Sequence, residues 1–181
     1  NIDPRKHRLL IHGMVDRPVI LTMQEIRRLP SVSRIYFLEC SGNTSEEWRA
    51  PTGKTVQSTH GLTGCSEWTG VPLSLLLREA GVQKGATWIV AEGADASGNE
   101  RSIPMAKATE DILVAYGQNG EALRPENGYP LRLIVPGWEG NVNVKWLRRL
   151  TVVDRPYMTR MESVDHANLF PDGKARQFMF V

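Results

Sequence analysis

Leu131-Arg132-Leu133-Ile134-Val135-Pro136-Gly137-Trp138-Glu139-Gly140-Asn141-Val142-Asn143-Val144-Lys145-Trp146 decides the fold class. Leu131 to Val135 reads as a strand, and Pro136-Gly137 stops it. Trp146 to Asp154 reads as the next clear strand, broken by Arg155-Pro156. Between them lies an amide- and glycine-rich loop with no helical pattern, so no βαβ crossover is built here.

Working outward, the same grammar repeats. Thr87 to Ala91 is a buried-strand pattern, followed by a loop through Gly93, Asp95 and Gly98. Asp111 to Tyr116 and Ala122-Leu123 flank Asn119-Gly120, a strong hairpin signal. Arg8 to Val15 and Ile35 to Leu38 are earlier strands. Two short helices interrupt them. One starts at the capping box Thr22-Met23-Gln24-Glu25 and is stopped by Pro30. The other follows Pro72, carries the stripe Leu73, Leu76, Leu77, Ala80, and closes at Gly81. Thr44 to Gly61 is polar and reads as a long loop. The expected class is α+β, with mixed sheets and few short helices.

At 181 residues, 41% of them hydrophobic, the chain is the size of one ordinary globular domain. Its 22 Lys and Arg nearly balance 20 Asp and Glu, which argues against nucleic-acid binding through many phosphate contacts. No apolar run approaches the roughly 20 residues of a membrane span. Asn1-Ile2-Asp3-Pro4 is no initiator sequence, and Gln177-Phe178-Met179-Phe180-Val181 reads as a strand that simply stops, so a piece of a longer protein is expected.

Cys40 follows a strand pattern and precedes Ser41-Gly42-Asn43, so it sits where the backbone must turn. Such a thiol can be a nucleophile, a redox group or a soft-metal ligand, or simply a buried structural cysteine. Cys65, in Gly64-Cys65-Ser66-Glu67-Trp68 ahead of the second helix, allows a Cys40–Cys65 disulfide as well as two free thiols. His7, His12, His60 and His166 form no zinc-type pair, and no phosphate loop, dinucleotide fingerprint or nucleophile elbow is present. The Gly137 to Trp146 loop offers many donors and close backbone approach, suited to an anionic or heteroaromatic ligand, or to a tight amide-stapled turn.

Taken together, these segments resemble the molybdenum-cofactor domain of the sulfite oxidase family. The residues that carry the likeness are Glu39 to Asn43, Glu67 to Leu73, Glu92 to Asp95, Ser102 to Pro104, Ala115 to Gly120, Gly128 to Gly137 and Val144 to Leu147, in fixed order along nearly the whole chain. Leu38 to Asn43, with Gly137 to Asn141 and Gly173 to Phe178, is most similar to the branch of bacterial sulfane (sulfur) dehydrogenases. The resemblance implies a molybdopterin cofactor with Cys40 as the protein's ligand to molybdenum. It implies that Asp95, Asn127, Arg132, Asn143, Val144 and Lys145 hold the pterin, with Arg132 and Lys145 toward its phosphate. Asn127 stands where animal enzymes carry a histidine.

The departures shape the expected chemistry. Thr44 and Ser45 follow the cysteine motif where sulfite oxidases place arginines, one of which binds the sulfite oxyanion. The resemblance then implies oxidation of a sulfane sulfur held on a carrier protein, with electrons leaving to a c-type cytochrome and a periplasmic location. His166 stands near the family's active-site tyrosine and is the candidate proton-transfer group, or else a histidine of a variable loop. There is no CxxCH motif, so no haem is expected on this chain. Residues 1–160 are assigned to the cofactor domain, lacking an upstream segment, and 161–181 to a connector toward a dimerisation domain through which the protein would form homo- or hetero-oligomers. Two rival readings accompany this one. The first is a sulfite dehydrogenase that binds free oxyanion through Arg49 or Lys54, and the second is a cofactor-free interaction module of the same fold.

Overall fold

The computed structural model describes residues 2–45, 55–164 and 166–177. Its strands are β1 Arg8–Gly13, β2 Val19–Thr22, β3 Val32–Glu39, β4 Thr63–Pro72, β5 Trp88–Gly93 and β6 Glu100–Pro104, then β7 Leu113–Gln118, β8 Glu121–Ala122, β9 Arg132–Ile134, β10 Leu147–Val153, β11 Ala167–Leu169 and β12 Ala175–Gln177. Short helices intervene: α1 Met23–Arg28, α2 Val56–His60, α3 Leu73–Ala80, α4 Met105–Ala108 and α5 Arg160–Val164. One five-stranded sheet has the order β2-β1-β10-β5-β6, in which β1 and β10 run parallel and the other neighbours antiparallel. A second has the order β3-β4-β7-β8, with β9 added to β7. The expected α+β class with mixed sheets is what forms.

Local signals hold where they are self-contained. Thr22 Oγ1 accepts from Glu25 N at 3.1 Å while Glu25 Oε2 accepts from Thr22 N at 2.7 Å, completing the capping box. Leu73, Leu76, Leu77 and Ala80 are buried, each large side chain worth about 1.5–3 kcal/mol, and Gly81 ends α3 at φ +72°. Asn119 and Gly120 take φ values of +52° and +78°, the pair of left-handed residues a tight hairpin requires.

Three expectations change. The stretch around Cys65, read only as the approach to the second helix, is a strand: Thr63 to Pro72 lies between β3 and β7. Its two glycines and proline hide it from propensity, and pairing on both sides overrides them. Within the Thr44 to Gly61 stretch, Val56 to His60 is helical, while 46–54, with Arg49 and Lys54, lie outside the described residues, as do 178–181. Cys40 and Cys65 are free thiols, both exposed, so neither the disulfide nor a buried cysteine forms.

The main core packs α1 and α3 against the first sheet and the inner residues of β7 and β9. A smaller cluster of Trp68, Leu113, Ala115, Leu123 and Ile134 sits under β3. Arg148 and Arg149 both bond the buried Glu92 carboxylate, so this basic pair serves the fold. Glu162 accepts from Ser102 Oγ at 3.0 Å and from Thr159 N at 2.9 Å, tying α5 to β6. His7 Nε2 donates to the Leu147 carbonyl at 2.8 Å, fastening the start of β1 beside the start of β10.

A methyl group at Gly70 would lie 2.4 Å from Val114 O and 2.6 Å from Ala115 Cα, beside the register shift of β4 on β7. Gly70→Ala should lose about 1–3 kcal/mol in denaturant unfolding. Gly64→Ala, where a methyl meets nothing within 4 Å, should stay within about 0.5 kcal/mol. Burial holds the His7 pKa below its ordinary 6.5, despite the hydrogen bond to Leu147. The unfolded chain therefore binds a proton near pH 6.5 that the fold resists, and stability falls as pH drops through that value. Thermal melts from roughly pH 8 to 5 should show this fall, and His7→Gln, which still donates to Leu147, should flatten it.

Candidate functional site

β3 delivers Cys40 to a turn that its neighbours hold rigidly. Cys40 N donates to Leu62 O at 2.9 Å, extending the β3–β4 ladder by one residue. Asn43 N then donates to Cys40 O at 2.9 Å, and Gly42 N approaches Cys40 Sγ at 3.4 Å. The Asn43 side chain clamps the turn, giving to Glu39 Oε1 at 2.7 Å and accepting from Leu62 N at 3.1 Å. The loop after β9 comes against this turn: a methyl at Gly140 would be 3.1 Å from Glu39 O and 3.6 Å from Cys40 Cα. Glycine at 140 is therefore what lets segments a hundred residues apart meet.

Cys40 opens on a cavity of 370 Å³ whose wall includes Glu39, Trp68, Gln118, Asn127, Arg132 and Asn141. A second cavity, of 540 Å³, is lined by Asp95, Arg101, Arg132, Asn143, Lys145 and His166 among others. Arg132, Gly140 and Asn141 belong to both. The candidate residues thus gather on two sides of one partition.

Arg132 is the centre of that partition. Its side chain lies over the Trp68 ring, 4.9 Å from the centroid. Nη1 donates to Asn127 O at 2.9 Å and Nη2 to Asn143 O at 3.2 Å. Nε is buried and has no partner among the described residues. Burial lowers the pKa to about 10, so the group remains a cation at neutral pH. A buried cation with an unmatched donor between two cavities is a seat for an anion.

The other candidates fall into place around it. Asn127 Nδ2 donates to Gln118 Oε1 at 2.8 Å, and Gln118 Nε2 to Ser66 Oγ at 3.0 Å, a relay anchored on β4. Asn143 is a staple, its Oδ1 accepting from Val135 N at 2.6 Å and its Nδ2 donating to Glu139 O at 3.0 Å. Val144 is buried, and its amide and carbonyl bond Val142 and Leu133, so it sets register and leaves no group facing a cavity. Lys145 Nζ donates to Glu126 O at 3.0 Å and lies over the Trp146 ring. Asp95 organises the turn after β5, accepting from Ser97 Oγ and from Asn99 N. Asn141 Nδ2 donates to His166 Nδ1 at 3.3 Å, so His166 reaches the Cys40 side through Asn141.

Sequence reasoning passed over Arg101. It is buried on β6, and its Nε donates to Asn141 Oδ1 at 3.0 Å, while Asn141 Nδ2 donates to Glu139 Oε2 at 2.6 Å. Burial raises the Glu139 pKa, against the pull of Asn141 and Arg101. An arginine at an inward strand position next to Ile103 was the available signal.

The family described as the oxidoreductase molybdopterin binding domain matches residues 1–161. The chain is 35% identical over 179 residues to the mitochondrial sulfite oxidase of Drosophila melanogaster, covering 94% of this chain and 31% of that protein. It is 35% identical over 163 residues to an NADH nitrate reductase of Ulva prolifera, covering 82% of this chain and 19% of that one. A crystal structure of the sulfane dehydrogenase SoxCD from Paracoccus pantotrophus superposes with a TM-score of 0.94 at 45% identity, covering all of this chain and 46% of that one. The chain therefore spans a fifth to a third of the curated relatives and under half of the crystallised chain.

Removing the Asn143 side chain strands the Val135 amide and the Glu139 carbonyl, at about 1–3 kcal/mol for each group. Asn143→Ala should lower Tm by roughly 5–15 °C. Asn143→Asp, which keeps the acceptor for Val135, should lose less by the same measurement.

Proposed function

The chain belongs to the sulfite oxidase family of molybdopterin-binding oxidoreductase domains, and from that premise we propose that it catalyses molybdenum-dependent oxidation of a sulfur compound. The favoured substrate is a sulfane sulfur presented on a carrier protein, the electron acceptor is a c-type cytochrome and the location is the periplasm. The observation that carries the reading is the buried Arg132 cation with its unmatched Nε, set in the partition between the exposed Cys40 thiol and the Asp95–Lys145 cleft. That donor set fits a large anionic cofactor bearing a soft metal at one end and a phosphate at the other.

When bound, molybdopterin supplies two-electron oxidation at sulfur, with the added oxygen coming from water. The protein's own groups bind and orient. Cys40 would supply the thiolate ligand from its clamped turn. Arg132 and Lys145 would neutralise the phosphate, and Asp95 would accept from pterin N–H groups. Asn127, fixed by Gln118, and Asn143, fixed by Val135 and Glu139, would hold the two carbonyls that aim Arg132. His166, its ring oriented by Asn141, would take the proton released as sulfur gains oxygen.

The choice of a substrate other than free sulfite rests on charge. Among the described residues lining the Cys40 cavity, Arg132 is the one cation, and Glu39 is an acid. Thr44 and Ser45 bring no charge to the turn. Among the described residues, a dianionic oxyanion would meet there one cation, the arginine that would also face the cofactor. The coverage of the SoxCD crystal structure at 45% identity points the same way.

Elemental analysis of full-length protein from a cofactor-competent host tests the reading. Wild type should carry about one molybdenum per chain, Cys40→Ser should lose the metal–thiolate absorption, and Arg132→Met should hold roughly 10–100-fold less metal with its fold intact. Free sulfite should turn over far more slowly than carrier-bound sulfane sulfur. Absence of metal from all three proteins would sink the enzymatic reading.

A further inference from the structure

A third cavity, of 540 Å³, lies away from the thiol and the cofactor cleft, between the segment leading into β1 and helix α1. Its wall carries four arginines, Arg5, Arg8, Arg27 and Arg28. Residues 2–28 contain six Lys or Arg (5, 6, 8, 17, 27 and 28) against three acids (3, 16 and 25), a surplus of three in a chain whose total is +2. The four arginines of the wall set a local positive field there.

Two nearby acids offset part of that charge and leave the arginines in excess. Asp3 pairs with Arg5 at 3.2 Å, and the Glu25 carboxylate, hydrogen-bonded to Thr22, faces Arg8 and Arg28 without a hydrogen bond to either. Arg8 Nη1 donates to the Arg5 and His7 carbonyls, which fixes its stem and leaves the rest of the fork outward. Arg27 lies over the Tyr116 ring at 5.9 Å, and Arg28 has no bonded partner among the described residues. Anchored, exposed guanidinium forks are pre-ordered donors for carboxylates.

The cleft lies at the same end of the sheet as the cofactor site. Arg8 opens β1 beside Leu147 of β10, whose other neighbour Gly93 precedes the Asp95 turn. From β1 across β10 to β5 is two strand spacings, roughly 10 Å. The segment that forms the cleft also reaches the cofactor side, because Ile2 shares a cavity with Asp95 and Trp146.

We infer that the arginine cleft is the docking point for a protein partner presenting a carboxylate-rich surface, and that this partner is the electron acceptor. The second clause rests on the proposed redox function; the first does not. A positive cleft at the same end of the sheet as the cofactor site steers an acidic carrier to the productive end of the molecule.

Binding is read by fluorescence anisotropy, with a labelled short polyglutamate peptide and full-length holoprotein. The peptide should bind wild type, weakening steeply from roughly 50 to 200 mM salt. Arg27→Glu/Arg28→Glu should weaken it about tenfold or more, and Arg27→Gln/Arg28→Gln less, while the exposed control Arg78→Glu/Lys84→Glu keeps wild-type affinity. Melting curves of each variant establish that the fold is kept. Equal binding by the Arg27→Glu/Arg28→Glu protein would overturn the inference. So would stoichiometric binding of inorganic triphosphate with none of the peptide, which would mark a small-anion site. In turnover assays, reduction of an acidic c-type cytochrome should fall in the charge-reversed protein while reduction of a small neutral dye is unchanged. A loaded wild type that reduces neither acceptor refutes the redox reading, while the peptide result still decides the docking site.

Discussion

A guanidinium taken out of water and left one donor short is the constraint around which this domain is arranged. Arg132 is placed by β9, a strand of three residues, and its fork is aimed by two backbone carbonyls from separate segments. Each carbonyl is in turn fixed by an amide side chain, Asn127 through Gln118 and Asn143 through Val135. A buried charge is tolerable only with such geometry, and it stays costly until something negative meets the remaining donor. The glycine at 140, the clamped Cys40 turn and the stacked Trp68 all serve to bring that donor to the boundary of two cavities.

Much of this was legible in the sequence, but unevenly. Thr22 with Glu25, the α3 leucine stripe and Asn119-Gly120 were readable because each is complete within a few residues. β4 was not, since Gly64, Gly70 and Pro72 argue against a strand until β3 and β7 are present on either side. Glu100 to Pro104 carries no strand signal of its own for the same reason. At the site, Cys40, Asp95, Arg132 and Lys145 stood out through family likeness, and the structure brings all four to the two cavities. The partition itself was invisible, because Arg101, Gln118 and Asn141 acquire their meaning only where sheets meet. Asn143 differs in another way: its side chain is consumed in the staple, and its carbonyl is what faces Arg132.

Charges in the molecule divide into two populations. Glu92 with Arg148 and Arg149, and Glu162 with Ser102 and Thr159, are internal ties that hold strand ends and α5 in place. These groups have their partners and project little field outward. The arginines around α1 are the opposite case, exposed and outnumbering the two acids beside them. Near-neutral overall composition therefore conceals a polarised surface.

The parallel pairing of β1 with β10 bears on how such a protein is made. Leu10 lies beside Arg149, so β1, which pairs on one side with its sequence neighbour β2, gains its second neighbour only when β10 is available. Contacts of that sequence separation are slow to form and close only after long loops have been ordered. Until then the β1–β2 pair has an open edge where β10 will lie. The cleft walls at Asp95, Lys145 and Trp146 hang on the other edge of β10, where Leu147 pairs with Gly93 of β5. Assembly of the cleft is thereby a late event, and a cofactor can be gripped only by a chain in which β10 has already met β5.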